Sequence, residues 1–381
     1  MKRIFLGFLT GAIVTGAVFS GTSHLPFFTK EEKNIANASI FNIRPTLPGE
    51  VFILKYMFNR DQTIKTNLNG KKSTSPDFAV GNEALSESLG LWMLYAVTKG
   101  DRELFEQSYT VLEKHFLSKE NLVYWKVGEG DTPVTTNAAI DDLRIIEALY
   151  KAADEWKIQK YESTANKIAE SIVKYQEVDG KIVDFYDMKS KTANNVITIS
   201  YVNTDGLRQM YGHEKITEQQ YKETLSFLKN IPLKQGFFPF SYNLGTKSYT
   251  FHDKVNMIDQ LLVAYYQLGS GTLNQSFYSF IKTEFYKKRI LYGQYDLKTR
   301  QPSVDFESPS VYAIGILMAA KNGDVDFAKD LYYRMISLQT LRPEHKYYGG
   351  FVNYHTNDTH SFDNLYPLLA ERVLYSEGFL Y

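Results

Sequence analysis

Carboxylates that open apolar helices are the residues of this chain best placed to do chemistry. Ser86-Glu87-Ser88-Leu89-Gly90 begins a run in which Leu89, Trp92, Met93 and Val97 fall at helical spacing. Asn137-Ala138-Ala139-Ile140-Asp141-Asp142-Leu143 leads into an apolar helix in the same way, and Phe251-His252-Asp253 precedes one that ends at Leu268-Gly269. Glu307-Ser308-Pro309-Ser310 and His360-Ser361-Phe362-Asp363-Asn364 open two later helices. Side chains of this kind hold and move protons, so general acid–base catalysis is the chemistry they suggest. Each also has a plain structural reading. Ser86 and Asn137 are placed as N-caps, and an acidic first turn complements the helix dipole.

Other chemistries find little support. There is no cysteine, which excludes disulfides, a thiol nucleophile, thiolate metal sites and a lipid-modified N-terminal Cys. The seven histidines show no metal-ligand spacing, and His355 and His360, five apart in a loop, read as solvated or capping residues. No phosphate-cradling glycine loop and no Gly-x-Ser-x-Gly elbow is present, so neither a metal nor a cofactor is expected. Lys and Arg together number 43 and so do Asp and Glu, so charge gives no reason to expect nucleic acid as partner. A neutral glycan is compatible with that balance. Tyr and Phe number 28 and 25; most belong to the core, yet a tyrosine face that packs on a pyranose would also use them.

The elements that must position these residues are helices. From about residue 80 onward, helical segments are expected near 138–153, 159–177, 204–212, 217–229, 254–268, 273–287, 308–321, 325–338 and 360–376, besides those at 89–99 and 104–116. They arrive in pairs every 50 to 60 residues, without a shared motif. Paired amphipathic helices in such numbers form a solenoid or a closed toroid, and no terminal repeat has a polar capping face. The expected fold is therefore all-α: an (α/α)6 barrel in one domain, with small β-hairpins in its longer loops. Those loops, at 121–137, 235–253, 292–307 and 346–358, are rich in aromatic and polar residues and are where a site is expected.

At the N-terminus, Lys2 and Arg3 precede an apolar run from Ile4 to Phe19. That pattern predicts a signal peptide or membrane anchor over 1–22, a polar connector over 23–40 and the barrel over 41–381. The chain is expected to be secreted or anchored on the outer face of the cytoplasmic membrane, touching the membrane only through this segment, and to be a monomer.

Several of these strings resemble glycoside hydrolase family eight. Ser86, Glu87, Gly90 and Met93 match the family's Ser-Glu-Gly-x-Gly-Tyr-Gly-Met string, and Leu94–Asp101 resembles the continuation of that helix and its Gly-Asp turn. Trp125 followed by Asp141-Asp142, then Ser200-Tyr201, then Phe251-His252-Asp253 come in the family's order, and the resemblance spans about 45–375. It implies Glu87 as general acid and Asp253 as base of a glycosidase with an inverting mechanism. Asp141 or Asp142 would hold the sugar at the reacting subsite, and Trp125 and Tyr201 would bind substrate. Asn256 stands where the family carries Arg. Asp259 is a second candidate for the base, but two turns further into that helix it reads as structural. The substrate implied is a β-1,4-linked polysaccharide, with a bacterial exopolysaccharide preferred. A polysaccharide lyase on the same barrel and a non-catalytic glycan-binding or assembly protein are the rival readings.

Overall fold

The computed structural model of this chain describes residues 46–70, 78–128, 134–353 and 355–380. The expected signal or anchor and its connector therefore lie outside the described residues. Among the described residues there are twelve α-helices and only short strands.

Six helices form an inner ring: α2 (Ser86–Lys99), α4 (Ala139–Trp156), α6 (Thr204–Gly212), α8 (Met257–Gln267), α10 (Pro309–Lys321) and α12 (Phe362–Ser376). Each packs on the next, and α12 packs back on α2, so the ring closes as an (α/α)6 barrel. The outer layer is α3 (Arg102–Val111), α5 (Gln159–Gln176), α7 (Glu218–Lys229), α9 (Gln275–Lys288) and α11 (Val325–Ser337). The sixth outer position is taken by α1 (Pro48–Phe52) with its π-helical continuation Ile53–Met57, which packs on α12. The hairpins are thus closed across the chain's two ends, a helix that periodicity from residue 80 onward did not reach.

Composition explains which helices are inside. In α10 every residue from Pro309 to Ala319 is buried, because an inner helix meets neighbours on both sides and an outer helix behind it. Outer α7, by contrast, buries only Leu228 fully. Gly100, at φ +77°, ends α2 where the Lys99-Gly100 pair predicted. The barrel seam is locked by Glu50 of α1, which accepts from Lys99 Nζ at 2.7 Å and from Tyr95 Oη at 2.5 Å. Close approach matters too: a Cβ on Gly206, at the start of α6, would stand 2.4 Å from the Leu143 carbonyl oxygen of α4.

The loop hairpins are present. β3 (Glu177–Val178) pairs with β4 (Lys181–Ile182), and β5 (Tyr186–Asp187) with β6 (Thr192–Ala193). β7 (Val196–Thr198), β8 (Ser241–Asn243) and β9 (Ser248–Thr250) make a three-stranded sheet. Two further pairs fix helix entries: β1 (Ala84–Leu85) with β2 (Lys126–Val127), and β10 (Lys254–Asn256) with β11 (Gln294–Asp296).

Candidate active site

The starts of α2, α4, α8 and α12 meet at one rim, around a cleft of about 930 Å³ that is partly open to solvent. Glu87, Asp141 and Asp259 all line it, as do Trp125 and Tyr201.

Glu87 is brought there by β1 and α2. The β1–β2 pairing carries Trp125 alongside, so that Ser86 N donates to the Trp125 carbonyl at 3.0 Å. Ser86 is not the expected cap: α2 has Leu85 at its N-cap, and the Ser86 hydroxyl donates instead to Asp141 Oδ2 at 2.7 Å. That bond ties the start of α2 to the start of α4. Burial raises the Glu87 carboxyl to about 8, with the negative charges of Asp141 and Asp363 adding to the rise and Arg144 opposing it. Glu87 is therefore protonated at neutral pH.

Asp141 is held by an arginine that sequence reading did not single out. Arg144, 2% exposed, lies one helical turn on and donates from Nη1 to Asp141 Oδ1 at 2.8 Å. Its other amino group reaches the Tyr366 hydroxyl of α12 at 3.2 Å. Burial raises the Asp141 carboxyl, and the Arg144 charge and the Ser86 hydroxyl pull it back. The spacing of Asp141 and Arg144, i and i+3 on one face, was the signal available in the sequence.

Asp142 lies elsewhere. It is fully buried in the wall and accepts from Asn137 Nδ2 at 2.7 Å, and it does not line the cleft. Asn137 is likewise no cap, since Ala138 occupies that position. Its amide binds Gln176 as well, and its carbonyl accepts from Tyr186 N. The two acidic residues are neighbours in sequence, so successive positions on the helix point about 100° apart and only one can face the cleft.

The two carboxylates weighed as base lie in different places. Asp253 is exposed in the turn before β10, where its main-chain carbonyl accepts from Leu297 N, while Asp259 is the one of the two that lines the cleft. The reason is local: the residues expected to begin the helix at 254 form β10 instead, and α8 starts at Met257 with Asn256 as its cap. Asp259 is therefore in the first turn of α8 and not two turns in. It accepts from Ser200 Oγ at 2.9 Å, and burial raises its carboxyl to about 7 against that hydrogen bond.

Tyr201 ends the 3-10 turn Ile199–Tyr201 that β7 leads into. Burial raises its phenol well above the usual value, and the charges of Asp184, Asp141, Asp259 and Glu87 add to the effect. Its ring thus stands within electrostatic reach of both Glu87 and Asp259. Trp125 is buried, with the Lys126 ammonium 5.4 Å from its ring centre.

The remaining sequence candidates divide. Glu307 is engaged by Arg334 and by the Tyr312 hydroxyl, a buried tie between α10 and α11. Asp363 accepts from Ser308 Oγ at 2.7 Å and acts on Glu87 through its charge. His360, read as solvated or capping, in fact lines the cleft. Among the described residues no group of His, Asp and Glu gathers to hold a metal ion.

Known proteins share this architecture. The sequence model of Glycosyl hydrolases family 8 matches residues 77–203, which include Glu87, Trp125, Asp141 and Tyr201. YdaJ of Bacillus subtilis (strain 168), provisionally named a lipoprotein, is 38% identical over 345 residues, 90% of this chain and 91% of YdaJ. A solved structure titled a novel alpha-amylase from Clostridium perfringens superposes with a TM-score of 0.78 at 29% identity, covering 85% of this chain and 96% of that one. PssZ from Listeria monocytogenes does so with a TM-score of 0.69 at 27% identity, covering 86% and 97%.

Proposed function

We propose that this chain, which belongs to Glycosyl hydrolases family 8 and is a glycosidase, cleaves a β-1,4-linked bacterial exopolysaccharide with inversion, outside the cytoplasmic membrane. The observation that carries the mechanism is one cleft in which two carboxyls rise from different helix starts, Glu87 to about 8 and Asp259 to about 7. Breaking a glycosidic bond needs one carboxylic acid to protonate the leaving oxygen. Inversion also needs a carboxylate about 6.5–9.5 Å away to activate water on the opposite face of the sugar. Glu87, protonated at neutral pH, is the acid. Asp259, ionised above about pH 7, is the base. Asp141 holds the sugar at the reacting subsite, Trp125 forms the apolar wall beside it, and Tyr201 binds the substrate.

Likeness to YdaJ supports a place at the membrane, and the basic-then-apolar residues 1–22 would supply the signal or anchor. Among the described residues no helix is long and apolar enough to cross a membrane. One comparison favours a second substrate reading: the relative titled an alpha-amylase points to an α-1,4-glucan.

The test is release of reducing ends from a panel of β-1,4-glucan, xylan, chitosan, amylose and a bacterial matrix polysaccharide, by the wild type and by Glu87→Gln. Release from a β-linked polymer that falls about 10²–10⁴-fold in Glu87→Gln is the expected result, since that is what a general acid contributes. Release from amylose alone would replace the β-linked substrate by the α-linked one. Wild-type activity in Glu87→Gln would remove Glu87 from its role.

A further inference from the structure

Three carboxyls, those of Glu87, Asp141 and Asp259, line the cleft. Asp141 and Asp259 offer carboxylate oxygens, while two of the donors around them are already engaged, Arg144 by Asp141 and Tyr366, and the Ser200 hydroxyl by Asp259. Ring and glycosidic oxygens of a sugar can only accept, so a glycan held here needs donors. His360 is placed to be one.

Its backbone is held from several sides. His360 bridges Asn67, Asn364 Nδ2 donates to its carbonyl at 2.9 Å, and the next residue, Ser361, donates from its backbone N to the Thr66 carbonyl. Ser361 Oγ also shares a 2.8 Å hydrogen bond with Ser88 Oγ of α2, one residue past Glu87. The side chain is fixed as well, because Phe362 N donates to His360 Nδ1 at 3.2 Å. A ring nitrogen that accepts carries no proton, so the neutral imidazole is protonated on Nε2. Burial holds the ring below its usual basicity, against the raising effect of Asp363 and Asp358, which keeps it neutral. Among the described residues no acceptor meets Nε2, and the side chain lines the cleft beside Glu87 and Phe362.

We infer that His360 is a substrate-binding residue that donates a hydrogen bond from Nε2 to a sugar oxygen in the subsite beside Glu87. The inference rests on the proposed glycosidase site and deepens it. Two features separate this role from a structural one. The Nε2 donor can be replaced by the amide of Gln at nearly the same reach, while the Nδ1 contact to the Phe362 backbone cannot.

The experiment measures affinity by calorimetry for cellohexaose, for maltohexaose and for the polymer that the wild type cleaves, in a Glu87→Gln background whose turnover is slowed. His360→Ala is expected to weaken binding about 3–10-fold, the worth of one hydrogen bond, and His360→Gln to recover most of it. Nitrogen-15 spectra at pH 7 are expected to show His360 protonated on Nε2 and bare on Nδ1. Undiminished affinity in His360→Ala overturns the inference, and so does an Nδ1-protonated ring. Equal loss in both variants, with a lowered melting temperature, also overturns it and makes the residue structural. If the parent binds none of the three glycans and the wild type cleaves nothing, the glycosidase reading itself falls, an outcome distinct from the others.

Discussion

In the proposed mechanism, Glu87 as acid and Asp259 as base set opposite requirements on pH. The acid must be protonated, so activity is lost as pH rises through the Glu87 value of about 8. The base must be ionised, so activity is lost as pH falls through the Asp259 value of about 7. A kcat/KM profile is expected to be a narrow bell with its top between those limbs, and a flat profile from pH 6 to 9 would contradict both assignments. Arg144 tunes the alkaline limb. Without it, buried Asp141 has no counter-ion and takes up a proton, and the charge that raises Glu87 disappears. Arg144 itself lowers Glu87, but by less than Asp141 raises it, so the net change in Arg144→Met is downward. The alkaline limb of that variant is expected at lower pH than in the wild type. Denaturant unfolding should show a loss of about 3–5 kcal/mol as well, since one half of a buried pair is removed. An alkaline limb that stays in place would separate Asp141 from the protonation of Glu87.

Helix starts decide which carboxylates meet, and these are where the sequence was hardest to read. Periodicity located the inner and outer helices because their apolar faces recur every three to four residues. It could not place the entry of α8: Asp253-Lys254-Val255-Asn256 carries no helix-breaking residue, and only its pairing with β11 makes 254–256 a strand. That shift of three residues exchanges Asp253 for Asp259 in the cleft. Ser86 and Asn137 had the types of caps, yet partners distant in sequence, Asp141 for one and Gln176 and the Tyr186 backbone for the other, took their side chains. That Glu87, Trp125 and Tyr201 would share one cleft was legible because motif order in a resembling family grouped them without reference to local geometry. His360 was not, since a loop histidine shows its surroundings only after folding. The tight contact between α4 and α6 is testable at this scale. Gly206→Ala would put a Cβ 2.4 Å from the Leu143 carbonyl, in backbone that cannot swing aside. A loss of at least about 1–3 kcal/mol is expected by denaturant unfolding, and a neutral result would mean that α6 can shift without cost.

The whole molecule brings together residues far apart in sequence because the ring closes. Closure depends on α1, whose Glu50 is engaged by Lys99 and Tyr95 of α2 while the helix itself lies on α12. Glu50→Ala removes the acceptor of the buried Tyr95 hydroxyl and one of the two carboxylates on Lys99, the other being Asp101 at 2.9 Å. It is expected to cost about 1–3 kcal/mol in denaturant unfolding while the cleft keeps its pH profile. Loss of the profile's shape at full stability would show that the seam positions the site directly. The central claim, however, is that the closed barrel pairs Glu87 with Asp259 and leaves Asp253 outside. Turnover of Asp259→Asn measured beside Asp253→Asn, on whichever polymer the wild type cleaves, tests it most directly. Asp259→Asn is expected to fall about 10²–10⁴-fold, as for loss of a general base, with Asp253→Asn close to the wild type. Full activity in Asp259→Asn with activity lost in Asp253→Asn would contradict it.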